Sequence, residues 1–174
     1  MAQHPSGGTA TRYAERLTVS WWMWPAALAA AGVLAAELHM GATGVRSWLP
    51  YLLLFPLAAA WLGYLGRLRV AVVDDELHID DARIPLRWVA GVTPLDAAAK
   101  REILGPLAHP YAFVVQRPWV APALLVRLDD PADPTPCCVV STRHPARLAA
   151  ALTAAAGRPV DTRAFTDLDL TALA

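Results

Sequence analysis

Residues 19–40 read VSWWMWPAALAAAGVLAAELHM, and residues 48–65 read WLPYLLLFPLAAAWLGYL. Each run is roughly 20 residues long, which is the length of helix that crosses a hydrocarbon core of ~30 Å. The seven residues between them, GATGVRS, leave room only for a tight turn between antiparallel helices. The two runs therefore predict a transmembrane helical hairpin.

The flanking residues predict the orientation of this hairpin. Tryptophans that open the first run are typical of the membrane–water interface. Cytoplasmic flanks carry an excess of arginine and lysine. Arginine occurs at positions 12 and 16 before the hairpin, at 67 and 69 after it, and at 46 in the turn. We therefore expect a two-span protein of the plasma (inner) membrane with both termini in the cytoplasm.

Composition divides the chain into a hairpin and a small domain. Charged residues make up 17% of the 174 residues, against about 25% in soluble domains, and the deficit lies within the hairpin. We expect a disordered cytoplasmic arm at 1–18, the hairpin at 19–66, a β domain with a C-terminal helix at 67–157, and a loosely ordered tail at 158–174. The net charge is zero, which argues against a nucleic-acid partner because such a partner requires a basic patch.

From residue 67 the apolar residues alternate with polar ones, a period typical of strands. Short alternating runs joined by Asp-rich turns predict an antiparallel meander. Residues 96–104 predict a short helix, residues 111–117, 123–129 and 137–142 predict three further strands, and an amphipathic helix begins at Pro145 and ends at Gly157. The predicted fold is an α+β membrane protein in which a small antiparallel β partial barrel is capped by the C-terminal helix.

This plan resembles a pleckstrin-homology-like domain. The stretches AELH (36–39), VRSWLPY (45–51), RPWV (117–120), DDPADPTP (129–136) and VSTR (140–143) also resemble an actinobacterial membrane protein family, the domain of unknown function 3093. That resemblance implies a two-helix hairpin joined to a cytoplasmic pleckstrin-homology-like domain, and it implies no activity. Cys137 and Cys138 depart from the family pattern, in which aromatic residues are more usual there.

Polar residues at the turn of the hairpin form the first candidate site. Glu37 and His39 end the first apolar run, and Arg46 lies in the turn. Charged groups near the hydrocarbon are costly and are often functional. A pair between Glu37 and Arg46 would join the helices outside the membrane, whereas solvation of each group at the interface is the alternative interpretation.

A second candidate is a basic face on the soluble domain that would meet lipid headgroups or a partner. Arginines near anionic lipids each contribute about 1 kcal/mol. An ordinary solvated face is the alternative, because aspartates lie close in sequence. The residues of this candidate face are Arg83, Arg87, Arg117, Trp119 and Arg143.

Other motifs favour neither a metal, nor a cofactor, nor catalysis. The prolines in the acidic loop at 129–134 interrupt the spacing of a calcium loop. Cys137 and Cys138 lack a matching CxxC or histidine pattern and are expected to be small buried residues. Nucleotide-binding and hydrolase signatures do not occur, so we expect no enzyme.

Three functions fit these features. The first is a docking or scaffold module at the inner leaflet that binds an unidentified membrane or cytoplasmic protein. The second is a module that binds anionic lipid or a small ligand. The third is an accessory subunit of a transporter or envelope-synthesis complex, contacted through Gly32 and the second helix, since small residues allow close helix approach.

Overall fold

The structure is a computed structural model that describes residues 11–40, 44–106 and 108–162, with the side chains of 45 and 46 excluded. It is an α+β fold with four α-helices and two four-stranded sheets in this described part. The helices are α1 Met23–Met40, α2 Leu49–Leu65, α3 Ala97–Leu104 and α4 Pro145–Ala155. The strands are β1 Thr11–Arg16, β2 Arg69–Val73, β3 Glu76–Ile79, β4 Ala82–Pro85, β5 Val89–Leu95, β6 Phe113–Val115, β7 Ala123–Leu128 and β8 Cys137–Ser141.

Residues 18–68 form one compact unit, the helical unit, in which α1 and α2 pack on each other. Gly32 lies at this packing surface, where a Cβ would make an ordinary van der Waals contact of 3.6 Å with the Phe55 ring. Gly32 thus lies against the second helix of its own hairpin. Among the described helices α1 alone has both the length and the apolar composition to cross a membrane, and α2 is a shorter apolar helix. The second span and the topology stay predictions.

A 3-10 helix, Gly44–Trp48, precedes α2. The Ser47 hydroxyl donates to the Gly44 carbonyl at 2.8 Å, and α2 begins at Leu49 with no side-chain cap. Proline near the start of α2 needs no N–H partner there. The serine therefore stabilises the turn itself.

The second unit, the β domain, is built from the described residues on both sides of the hairpin. Its first sheet has the order β1-β2-β3-β4 and is antiparallel throughout. The prediction of a disordered arm at 1–18 is wrong for residues 11–16, which form β1 and pair with β2 across the hairpin. Residues 1–10 lie outside the described part. The strand is stabilised by its pairing with β2 and by half-buried Tyr13 and Glu15, which hydrogen-bond to each other and to Thr142.

The second sheet has the order β5-β7-β8-β6. Its β5–β7 and β7–β8 pairs are antiparallel, but β6 runs parallel to β8. The prediction of an antiparallel β partial barrel is therefore wrong for β6. The physical reason is the segment 116–122, which is anchored by hydrogen bonds to Lys100 and Ser141 and carries the chain past β8 to β7.

The core lies on both faces of the second sheet. One face packs Leu125 and Val139 against Ala99 and Ile103 of α3. Helix α4 contacts β1, β2, β5 and β7, strands of both sheets, with Leu152 fully buried. Burial on two faces explains why β7 and β8 read as continuous apolar runs.

The segment after α4 returns to β5. Arg158 donates to the Val89 carbonyl at 2.7 Å, and Asp161 forms a parallel bridge with Gly91. Val160 is buried. The prediction of a loosely ordered tail at 158–174 is thus wrong for residues 158–162, while residues 163–174 lie outside the described part.

Candidate functional site

The polar cluster predicted at the hairpin turn is organised by His39. Its Nδ1 donates to the Ser47 carbonyl oxygen at 3.0 Å, and its ring packs edge-on against Trp48 and Tyr51. The histidine thereby joins the end of α1 to the start of α2. Glu37 is exposed on α1. The Arg46 side chain lies outside the described part, so its pairing with Glu37 stays a prediction.

The predicted basic face is distributed over several elements. Arg83 lies on edge strand β4, and Arg87 lies over the Trp88 ring at 5.3 Å. Arg117 and Trp119 do meet, with the guanidinium 5.9 Å from the ring centroid.

The fifth residue of that face, Arg143, follows β8 and lies beside β1. Its guanidinium donates to the Arg16 carbonyl at 3.3 Å, and its backbone N–H donates to Glu15 at 3.0 Å. Arg143 therefore lies beside one member of a pair of arginines that the sequence analysis did not identify as a site.

That pair is Arg16 and Arg69, which lie directly opposite each other in the β1–β2 register. Both are exposed, and no carboxylate of the described residues lies within ion-pair distance of either. Like charges placed directly opposite each other in a sheet are destabilising. The sequence indicated this pair through the positions of the two arginines, because one precedes the hairpin and the other follows it.

The Glu15 carboxylate is the shared acceptor of a hydrogen-bond cluster between β1 and the residues just before α4. It accepts from the Tyr13 hydroxyl at 2.7 Å and from the Thr142 hydroxyl at 2.5 Å. Burial is the largest cause that raises the pKa of Tyr13 to about 12. The cluster has a structural role, because its carboxylate is only 10% exposed and is already satisfied.

Lys100 is the most unusual side chain in the β domain, since it is the only lysine in the sequence and is only 7% exposed. Asp96 caps α3 by accepting from two backbone N–H groups, and this helix carries Lys100 toward the segment 116–122. The ammonium donates to the Val120 carbonyl at 2.7 Å and to Ser141 Oγ at 2.9 Å. Burial lowers the pKa of Lys100.

Ser141 positions the lysine rather than acting as a nucleophile. Its hydroxyl is fully buried and accepts hydrogen bonds from both Lys100 Nζ and the Arg117 N–H. A serine without access to solvent cannot attack a substrate. The Ser–Lys pair therefore does not support a hydrolase.

An open pocket of about 430 Å³ lies beside Lys100. Four positions of α3 with helical spacing line one side, namely Ala97, Lys100, Arg101 and Leu104. Gln116, Pro118 and Val120 line the other side. The volume falls in the range of small-molecule sites, which combine apolar walls with a few polar groups. Sequence reasoning missed this pocket, although a single lysine in an arginine-rich chain was the available signal.

The two cysteines are buried free thiols. Burial raises the pKa of Cys137, and burial together with the neighbouring Cys137 raises the pKa of Cys138 to about 12. Such thiols behave as small apolar residues. Within the described residues, no three metal-ligating side chains come together.

Comparison with known proteins identifies the family. No curated protein and no solved structure matches the chain. The model of a family of proteins of unknown function, DUF3093, matches residues 12–152, a range that includes the hairpin, the Glu15 cluster, the arginine pair and Lys100. The chain belongs to the DUF3093 family.

Proposed function

We propose that this chain is an integral membrane protein that holds its β domain against the anionic cytoplasmic leaflet, where Arg16 and Arg69 bind lipid headgroups. The helical unit supports anchoring through its exposed apolar side chains, which soluble proteins rarely display in such density. Among them Trp21 is 82% exposed, Leu52 is 72% exposed and Leu57 is 64% exposed. A bilayer covers such a surface.

The topology of the first sheet supports two spans. The chain leaves the sheet at Arg16 and re-enters it at Arg69, which are neighbours in adjacent strands. The two ends of the hairpin therefore connect to adjacent strands of one sheet. A hairpin with both ends on the same side of a membrane meets this requirement.

The pleckstrin-homology-like plan is part of the same proposal. Two four-stranded sheets and a C-terminal helix that contacts strands of both fit a capped partial barrel. The chain differs from such a plan in two ways. Strand β1 lies before the hairpin, and β6 pairs in parallel with β8.

The opposed arginines carry the proposal. Two guanidinium groups across adjacent strands repel each other unless an anion lies between or beside them. Headgroups supply that charge where the chain enters the membrane, and each arginine near an anionic surface contributes about 1 kcal/mol.

A stability comparison tests the headgroup contact. The full chain is placed in nanodiscs of phosphatidylcholine, with or without phosphatidylglycerol, and its thermal midpoint is measured. We expect phosphatidylglycerol to raise the midpoint, salt to reduce the gain, and the double variant R16Q/R69Q to lose it. The control R12Q/R147Q removes the same number of charges from two other exposed positions and is expected to retain the gain. An equal gain in R16Q/R69Q and wild type contradicts the proposal.

A protein-docking function is the second candidate, and it is favoured by the outer edge of β6. This strand lies at the edge of its sheet, and Tyr111, Phe113 and Val114 are 66%, 41% and 42% exposed. Exposed edge strands with apolar side chains are templates for strand addition by a partner. The partner would be a membrane or cytoplasmic protein.

In-cell photocrosslinking tests docking. A photoreactive residue at Val114 is expected to give a recurrent adduct of one mass, whereas the same residue at Ala146 on exposed α4 surface is expected to give none. A tag at the C-terminus is expected to be protected from external labelling. External labelling of that tag overturns the topology, and equal adducts at both positions overturn docking at β6.

A further inference from the structure

Among the described residues, the buried ammonium of Lys100 has no counter-charge. Of its three N–H groups, one binds the Val120 carbonyl and one binds Ser141 Oγ, both neutral acceptors. Within the described part of the chain, no carboxylate pairs with Lys100. Buried charges in proteins are nearly always paired, because desolvation of an isolated ion is costly.

The choice of lysine strengthens this point. Every other Lys/Arg position in the chain is arginine, including all exposed ones. Lysine presents a compact point charge that changes its protonation state on burial, whereas arginine stays charged. A compact cation at the side of a pocket suits one small anionic group.

The remaining pocket walls define the rest of the ligand. Arg101 is exposed and its Nε donates to the Ala97 carbonyl at 3.0 Å, which leaves its Nη groups for a second contact at the rim. The Gln116 amide adds a neutral donor and acceptor. Leu104, Pro118 and Val120 provide apolar surface.

We propose that this pocket binds a small organic anion, whose carboxylate or phosphate accepts the third N–H of Lys100 while its apolar body lies against Leu104 and Pro118. A volume of about 430 Å³ accommodates a short chain or a single ring. The site is independent of the arginine pair proposed to bind headgroups, since none of its residues belongs to that pair. Anion binding supplies the counter-charge and favours the protonated lysine.

The single lysine makes this proposal directly measurable. Biosynthetic labelling with lysine carrying ¹³C at Cε gives one resonance from the full chain in a neutral maltoside detergent. Its chemical shift is followed against pH and against three probes of equal chain length: hexanoate, hexyl phosphate and hexanol. We expect at least one anion to move the resonance saturably and to raise the Lys100 pKa, with no effect from hexanol. Comparison of the two anions identifies the preferred anionic group.

Calorimetry of variants completes the test. K100M keeps the aliphatic stem and is expected to weaken anion binding at least tenfold, whereas R147Q, an exposed change on α4, is expected to leave it unchanged. If K100M does not fold, the resonance titration of the wild-type chain decides alone. Indifference of the resonance to both anions, or an equal response to hexanol, overturns the proposal.

Discussion

The Glu15 carboxylate accepts a 2.5 Å hydrogen bond from the hydroxyl of Thr142, a residue 127 positions later in the chain. One residue lies in the strand before the helical hairpin and the other lies just after the last strand. With the Tyr13 hydroxyl and the Arg143 N–H as further donors, this carboxylate attaches the first strand to the start of α4.

Replacing Glu15 by alanine is expected to destabilise the β domain by about 1–3 kcal/mol, because buried hydroxyl and N–H donors lose their acceptor. Chemical unfolding of the full chain in detergent measures the change. The control R12Q alters an exposed residue of the same strand and is expected to cost less. Equal stability of E15A and wild type contradicts a structural role for the cluster.

Alkaline pH is expected to weaken the fold through Tyr13. The pKa of this phenol is raised from 10.0 to about 12, so between these values the folded chain retains a proton that the unfolded chain loses. Stability therefore falls as pH rises from 10 to 12. Y13F lacks this contribution, and the difference in unfolding free energy between Y13F and wild type is expected to vary over this window. A pH-independent difference contradicts the prediction.

The lowered pKa of Lys100 has the opposite effect on the pH dependence of stability. Because burial lowers it from 10.5, the unfolded chain binds more protons than the folded chain as pH approaches 10.5 from below. Wild-type stability relative to K100M is therefore expected to rise with pH up to 10.5 in the absence of ligand. Unfolding free energies at several pH values measure this slope, and a falling slope excludes a desolvated, unpaired lysine.

Gly91 leaves room for the end of the Arg127 side chain. A Cβ at this position would lie 2.3 Å from a guanidinium nitrogen of the residue that pairs with Asp161. Because the guanidinium ends a flexible side chain and can move aside, G91A is expected to disturb its ion pair with Asp161 and to cost no more than about 1 kcal/mol, the usual value of a partly exposed ion pair.

A double-mutant cycle checks the cause. G91A is expected to cost less in an R127A background, because the two residues act through one contact. G63A is the matched control, since a Cβ at Gly63 meets no atom within 4 Å. Strict additivity of G91A and R127A contradicts the explanation.

Both thiols are expected to be inert in the folded chain. Cys137 is 3% exposed and Cys138 is fully buried, and the raised pKa of each keeps it protonated at neutral pH. A colorimetric thiol reagent is expected to react with neither thiol in the native state and with both after denaturation. Rapid native reaction would disprove their assignment to the core.

Local patterns in the sequence predict much of the β domain. Alternation predicts β2 and β3, and the segment 96–104 matches α3 because the Asp96 carboxylate caps the helix by accepting from the backbone N–H groups of Ala98 and Ala99. Strand β1 was missed because five of its six residues are polar or small and do not show the alternation typical of a strand. Its conformation depends on pairing with β2, which is distant in sequence. A strand was predicted at 111–117, but the parallel pairing of β6 with β8 was missed. This pairing depends on the contacts of the segment 116–122 with Lys100 and Ser141, which are distant in sequence.

The candidate sites were less predictable for the same reason. His39 was identified because an ionisable residue within an apolar run is conspicuous. Lys100 lies in a short amphipathic helix, in which a lysine is expected to be exposed. Its burial depends on residues 116–122 and 141, which are distant in sequence.

The placement of β1 before the hairpin and β2 after it also imposes an order of events during biosynthesis. The ribosome releases β1 while its partner strand is still unsynthesised, so the N-terminal segment must wait, unpaired, until both apolar helices have left the exit tunnel. Completion of the first sheet consequently follows synthesis of the hairpin, and an arrest or truncation of translation within the hairpin leaves an orphan strand that quality-control proteases can recognise.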